Sequence, residues 1–271
     1  MVFHKHARLF CAVSMGTLAA ACATAPTAEE KAYEAKVKSE TIMPASADDR
    51  ALIKRQDPMT QATFWGLEYE KNPGDVEAAT EFAKSLRAIG SDKRAAEIAS
   101  QTLSLDPGNA ELLTLLGKAL LKAGDMENAV DALRQAYAAN PEDLTVLGAL
   151  GVAYDQTGRH REAQATYRQI LQRNPASTSS LSNLGLSLTL SGEPEAAETF
   201  LRRAVEQPNA GVRERQNLAM VLSLLGRFDE ARELSAGDLP DSQVDKNIDY
   251  FRAMLTPSTR VYGQLRGSMD D

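Results

Sequence analysis

Large apolar residues recur along most of this chain at steps of three and four, and the whole pattern then repeats every 34 residues. In the unit that begins at Ala110 they stand at Leu113, Leu116 and Leu120, with Gly117 between them, and the pattern resumes at Ala129, Leu133 and Ala136 before Pro141. The unit from Leu144 repeats it with Leu147, Leu150, Gly151, Tyr154, Ala163, Tyr167 and Pro175, although Ile170 stands where a small residue is expected. The unit from Thr178 follows with Leu181, Leu184, Gly185, Leu188, Ala197, Leu201 and Ala204. Steps of three and four place side chains on one stripe of a helix, so each unit predicts two helices that bury facing stripes. The punctuation agrees. Gly90, Gly124, Gly158, Gly192 and Gly226 fall 34 residues apart, where a first helix would end with positive φ. Pro73, Pro107, Pro141, Pro175 and Pro208 keep nearly the same step and would stop each second helix. Small residues at positions 8 and 20 of the unit let its two helices approach closely, where a larger side chain would overpack the contact.

Two flanking units are weaker. The one from Val76 has Ala79 and Ala99 where large residues are expected, and the one from Val212 has Arg215 at position 4. Degenerate end units are expected because their outer faces meet solvent. Before them, Asp57-Pro58 and then Met59 to Lys71 predict a lone second helix with Trp65 as a packing residue. After residue 235 the period stops. Asp241 is a candidate N-cap for a helix over 242–255, whose Val244, Ile248, Phe251 and Leu255 form one face suited to closing the stack. Residues 256–271 read as a mobile tail.

Composition narrows the function. A net charge of −7 and a pI near 5.2 argue against a nucleic-acid footprint, which needs a clustered basic face. The two cysteines, Cys11 and Cys22, both precede the repeats, so the folded part has no disulfide framework or thiol metal site. His4, His6 and His160 are too scattered for zinc, and His160, in a turn between helices, is expected at the surface. The chain has no phosphate-cradling glycine loop, no G-x-S-x-G elbow and no H-E-x-x-H, so neither catalysis nor a cofactor or small-molecule substrate is expected.

The N-terminus carries Lys5 and Arg8 without an acid, then thirteen apolar or small residues, LFCAVSMGTLAAA, over 9–21. That is a secretory signal, too short to span a bilayer as a stable helix. Leu18-Ala19-Ala20-Ala21-Cys22 resembles the lipobox of bacterial lipoproteins, with Ala19 where leucine is preferred. The resemblance implies cleavage of 1–21 and lipidation at Cys22, and Ala23 in place of aspartate leans toward the outer membrane. Several acyl chains on one cysteine would anchor it stably. Residues 22–57, with Pro26, Pro44 and many charges, read as a flexible tether containing one short charged helix near 28–39. Such a tether would reach roughly 30–35 Å.

The 34-residue unit resembles the tetratricopeptide repeat. The expected fold is all-α, a solenoid of about five helix pairs over 58–235 with a C-terminal capping segment over 236–255. In that family the first helices line a concave surface through positions 2, 5, 9 and 12. Here these include Glu77, Lys84 and Arg87, then Glu111, Lys118 and Leu121, then Thr145, Gly148, Val152 and Asp155, then Ser179, Ser182 and Leu186, and last Gln216 and Met220. The resemblance implies a partner-binding groove, basic at one end through Lys84, Arg87 and Lys118. It is apolar further along through Leu121, Val152, Leu186 and Met220. It would accept a helical or extended segment with an apolar face and an acidic group. No repeat has lysine at position 5 with asparagine at 9, as the chaperone-type carboxylate clamp requires.

The lipobox, the repeats and the closing segment are similar to TadD-type lipoproteins of tight-adherence (Flp) pilus assembly. That segment runs from Leu225-Gly226-Arg227-Phe228-Asp229-Glu230-Ala231 through Gly237-Asp238-Leu239-Pro240 to Asn247-Ile248-Asp249-Tyr250-Phe251-Arg252-Ala253-Met254-Leu255. This implies an outer-membrane accessory facing the periplasm, pilotin-like toward the pilus secretin. The other reading is a different envelope adaptor, for outer-membrane protein insertion or for peptidoglycan enzymes.

Overall fold

The computed structural model describes residue 31 and residues 43–255. The lipobox with Cys22, most of the segment up to residue 42 and the tail over 256–271 lie outside the described residues. The compact unit begins at Pro44. Its helices are α1 (Ala47–Ile53), α2 (Pro58–Lys71), α3 (Val76–Ala88), α4 (Asp92–Leu103), α5 (Ala110–Ala123), α6 (Met126–Ala139) and α7 (Leu144–Gln156). There follow α8 (His160–Arg173), α9 (Thr178–Leu190), α10 (Pro194–Val205), α11 (Val212–Leu224), α12 (Phe228–Ser235) and α13 (Asp241–Leu255). The five predicted pairs are α3/α4 to α11/α12, and the lone second helix is α2.

Local chemistry sets the boundaries. Asp57, Asp75, Asn109, Asp143 and Ser177 each accept N–H bonds in the first turn of the following helix. The five periodic glycines all have φ between 73° and 89°, as the turn after each first helix demands. Asp241 departs from expectation by one place. It is the first helical residue, and the Pro240 carbonyl takes the N–H groups of Gln243 and Val244.

Within each pair the helices meet at position 8 of the first and position 24 of the second. A Cβ on Gly117 would lie 2.5 Å from Leu133 Cγ, and one on Gly185 would lie 2.5 Å from Leu201 Cγ. Gly151 stands in the same relation to Tyr167. Where position 8 is alanine, position 24 is small: Ala83 goes with Ala99, and Ala219 with Ser235. Position 20 is alanine in every pair and is buried throughout: Ala95, Ala129, Ala163, Ala197 and Ala231. The bulky Ile170 is buried as well, and a Cβ on Gly148 of α7 would meet it at an ordinary 3.8 Å, so this position does not depend on glycine.

First helices of successive pairs touch one another, α3 on α5, α5 on α7, α7 on α9 and α9 on α11. Each second helix packs on the first helix of the next pair, and successive second helices approach one another less. The first helices therefore line the shorter, inner side of the stack.

The two ends are closed differently. At the C-terminus α13 buries Val244 and Ile248 against α11 and α12. Arg215, the misfit at position 4, holds Asp238 of the preceding connection with bonds of 2.7 and 2.5 Å. At the N-terminus, residues 44–57 do not continue the expected flexible tether. They carry α1, which buries no side chain of its own. A seven-residue helix is marginal alone, and here charge holds it. Arg50 reaches Glu68 at 3.1 Å, Asp75 at 2.7 Å and Glu77 at 2.9 Å, while the Ala45 N–H donates to Glu68 at 2.7 Å. Arg50 and Lys54 also lie over the buried Trp65 ring, at 5.6 and 5.7 Å from its centre.

Two outcomes are expected. Gly117→Ala should cost about 1–3 kcal/mol by overpacking against Leu133. Adding Leu133→Ala should recover part of that, giving a double-mutant coupling of about 1 kcal/mol or more in thermal or denaturant unfolding; strict additivity would place the contact elsewhere. The second concerns acid. Burial opposes the charges on Glu68 and Asp75, yet bonds from Lys71, Arg50 and backbone N–H groups hold both below the usual carboxylate range; Lys54 and Arg50 lower Glu77. A depressed folded-state pKa gives stability that is present above the unfolded value and lost as pH falls through the folded one. The α1 latch should thus release below about pH 4. Trp65, the single tryptophan, reports it: its emission should shift to the red on acidification, and Arg50→Gln should show the shift at neutral pH. An acid-insensitive spectrum down to unfolding would contradict the latch.

Candidate partner-binding groove

The inner face does not present the residues expected of it uniformly. At the N-terminal end Lys84 is already occupied, with Glu111 at 2.6 Å and Glu81 at 3.0 Å. Burial works against its charge, but these carboxylates outweigh it and raise its pKa. Lys84 and Glu111 are groove positions 9 and 2 of consecutive repeats, so this part of the basic end is internally neutralised. Arg87 and Lys118 differ. The nearest carboxylate to Arg87 is Asp92, 3.6 Å from Nε, too far for a hydrogen bond, and this buried Nε has no hydrogen-bond partner. Among the described residues no carboxylate lies within ion-pair distance of Lys118. Burial, then repulsion from Arg87, hold its ammonium below the usual lysine range, with Asp143 pulling the other way. Two half-buried cations with spare donors are thus set side by side, an arrangement that favours an incoming anionic group.

Further along, the face becomes small and apolar. Thr145, Gly148 and Val152 on α7 and Ser179 and Asn183 on α9 line a cavity of about 410 Å³, with Ile170 behind them. Val152 and Leu186 are half-buried on this side, and Leu121 packs partly into the core between α5 and α7. Asn217 donates to Ser182 at 2.9 Å, tying α11 to α9 across the face. Met220 is not part of the free groove. It lines a small space of about 50 Å³ together with Gln216, Val244, Ile248 and Phe251, beneath α13. The apolar stripe of α13 needs a partner, and the last first helix supplies one. The cap therefore covers the groove positions of α11.

His160 is half-buried at the start of α8. Its Nδ1 lies 2.9 Å from Asp155, which also accepts from Tyr167 Oη at 3.1 Å and Ser187 Oγ at 2.6 Å. Asp155 thereby joins α7, α8 and α9. Burial and the Asp155 charge raise the pKa of the Tyr167 hydroxyl, which stays protonated and donating. Position 12 of that repeat is thus a structural hub. Single residues gave little sign of it, because its partners are 12 and 32 residues away. Among the described residues no group of three or more His, Cys, Asp or Glu could hold a metal ion.

Models of the tetratricopeptide repeat match residues 74–143, 120–185, 177–206 and 217–236, together more than half of the chain. This chain is a tetratricopeptide-repeat protein. No match is found among curated proteins. Among solved structures it is similar to MamA, at 24% identity and a TM-score of 0.54, over 60% of this chain and 95% of that one. It is also similar to YrrB, described as a TPR protein with an unusual peptide-binding site, at 18% identity and a TM-score of 0.54, over 68% and 99%. TTC0263, a thermophilic TPR protein of Thermus thermophilus, matches at 23% identity and a TM-score of 0.52, over 66% and 98%. These likenesses support the fold. The repeat is a protein-interaction scaffold, and no family of enzymes is among the matched models.

A consequence of the cap follows. Met220→Asp should lower stability by about 1–3 kcal/mol, because it places a charge under α13. Val152→Asp, on the open part of the face, should leave the melting temperature within a few degrees of wild type. Equal losses in calorimetry would contradict the assignment of Met220 to the cap.

Proposed function

We propose that this protein is a membrane-anchored scaffold of the bacterial cell envelope, which holds a partner segment on its inner face. The observation that carries the binding part is Lys118, with no carboxylate within ion-pair distance among the described residues, next to Arg87, which meets Asp92 only at 3.6 Å, beside the small and apolar stretch at Gly148, Val152 and Leu186. An extended or helical segment with an apolar face and one acidic group matches both features. The anchor rests on the sequence alone, on the lipobox ending at Cys22. Among the described residues no helix is long and apolar enough to cross a membrane. The resemblance to TadD-type lipoproteins assigns the scaffold to tight-adherence pilus assembly at the outer membrane, with the secretin or a neighbouring assembly component as the partner.

The test uses the full chain in cells that make the pilus. Cys22→Ser should move the protein from the membrane to the soluble fraction. With the anchor intact, Val152→Asp combined with Lys118→Glu should reduce crosslinked secretin by about tenfold, matching the loss of one hot-spot cluster. Undiminished secretin recovery would refute the groove. Recovery of an outer-membrane insertion complex or a peptidoglycan enzyme in place of the secretin would reassign the partner.

A further inference from the structure

The outer side of the stack carries a feature that the inner face does not explain. Successive second helices are bridged there by a tyrosine and a glutamine. Tyr69 on α2 donates to Gln101 on α4 at 3.1 Å, and Gln169 on α8 donates to Tyr137 on α6 at 2.5 Å. In both bridges the glutamine follows the tyrosine by 32 residues. Between α4 and α6 the glutamine is retained as Gln135, but the tyrosine position holds Leu103. No bridge forms. Leu103 and Gln135 instead line a cavity of about 850 Å³ floored by Leu113, Leu116 and Leu120 of α5.

The charges along this groove are ordered. At the end near the α3–α4 turn an adjoining cavity of about 490 Å³ is lined by Lys93 and Lys122, with Arg94 and Asp92. Asp92 meets Arg87 at 3.6 Å and Glu97 is held by Arg94 at 2.8 Å, and among the described residues neither Lys93 nor Lys122 has a carboxylate within ion-pair distance. Further along, Asp131 lines the groove, and among the described residues no cation stands within ion-pair distance of it. Asp125 is tied to Asn128 at 2.8 Å.

We propose that this outer groove is a second docking surface, separate from the inner face, for a helical segment of a partner protein about three turns long. The length follows from the 12 residues of α4 that flank it. The segment carries leucine-sized residues toward Leu116 and Leu120, a carboxylate at the end that meets Lys93 and Lys122, and a lysine or arginine further along that meets Asp131. Absence of the tyrosine opens the site, and the order of charges sets its direction.

The experiment uses the full chain and a fluorescein-labelled helical peptide of about fourteen residues, with leucines on one face, glutamate near one end and arginine near the other. Fluorescence anisotropy should show saturable binding that weakens with salt. Replacing the peptide's leucines by serine, or both its charges by glutamine, should weaken it by about tenfold or more. Leu103→Tyr should restore the bridge to Gln135, close the groove and abolish binding. Asp131 is exposed, so Asp131→Lys leaves the core untouched and keeps the test decisive if Leu103→Tyr misfolds. It should weaken binding by about fivefold or more. Equal binding of the serine peptide, or unchanged affinity in Asp131→Lys, would overturn the proposal. So would a dimer in sedimentation that Leu103→Tyr converts to monomer, since the occupant would then be a second copy.

Discussion

The rest of the structure depends on how closely the two helices of each pair approach at positions 8 and 24. Packed helices meet at roughly 8–10 Å according to the side chains at the contact. Here the volume is divided in one of two ways. Either glycine faces a large residue, as Gly117 faces Leu133 and Gly151 faces Tyr167, or two small residues share the space, as Ala83 and Ala99 do. The bulk at the contact differs from pair to pair, but one partner is always small enough to let the helices approach closely. Close approach inside each pair is what allows the pairs to stack in register. Only then do the first helices line one side and the second helices the other.

A regular stack has two ends, and each must cover what the next repeat would have covered. The C-terminal end uses apolar burial: α13 lays Val244 and Ile248 on α11 and α12, and Met220 is enclosed with them. The N-terminal end uses charge, because α1 has no apolar stripe to offer. Glu68 is almost completely buried, and its carboxylate is tolerated there because Arg50, Lys71 and the Ala45 N–H all bond to it. Such a buried group is costly without its partners, so the cluster acts as a unit. The C-terminal cap joins apolar contacts, which do not respond to acid, to the Arg215–Asp238 pair, whereas the N-terminal latch rests on ion pairs, so acid loosens the N-terminal end more.

Much of this was legible in the sequence. The period gave the helices, the register and the core, down to Trp65 and the buried alanines at position 20. What the period hides is any contact between residues whose separation is not fixed by the repeat. Arg50 meets acids 18, 25 and 27 residues away, and each separation follows from the packing of α1. The neutralisation of Lys84 by Glu111 is a different case. Positions 9 and 2 of consecutive repeats are neighbours on the inner face, so this pair could have been read from the register. Met220 was similarly accessible, since the expected stripe on 242–255 required an apolar surface and the last first helix was the nearest one. The partners of His160 could not be placed, because Asp155 and Ser187 reach it from the helices on either side.

The repeat is therefore informative about function mainly where it is broken. A position that obeys the pattern is explained by packing, and exchanging it for another conforming residue alters stability before it alters binding. Lys118 is left over on the inner face once packing and ion pairing are satisfied, and Arg87 beside it makes only a long ion pair with Asp92. Leu103 departs from the tyrosine found at the same place in Tyr69 and Tyr137, and the outer surface opens beside it. The two departures lie on opposite sides of the same helix pairs, α3/α4 and α5/α6. A rigid pair of this kind can hold one partner on each side without the two competing for surface. The scaffold would then join partners at a distance fixed by the thickness of two packed helices, roughly 20 Å. Gly117 and Leu133 set that thickness, so the contact that builds the fold also fixes how far apart its two faces present their ligands.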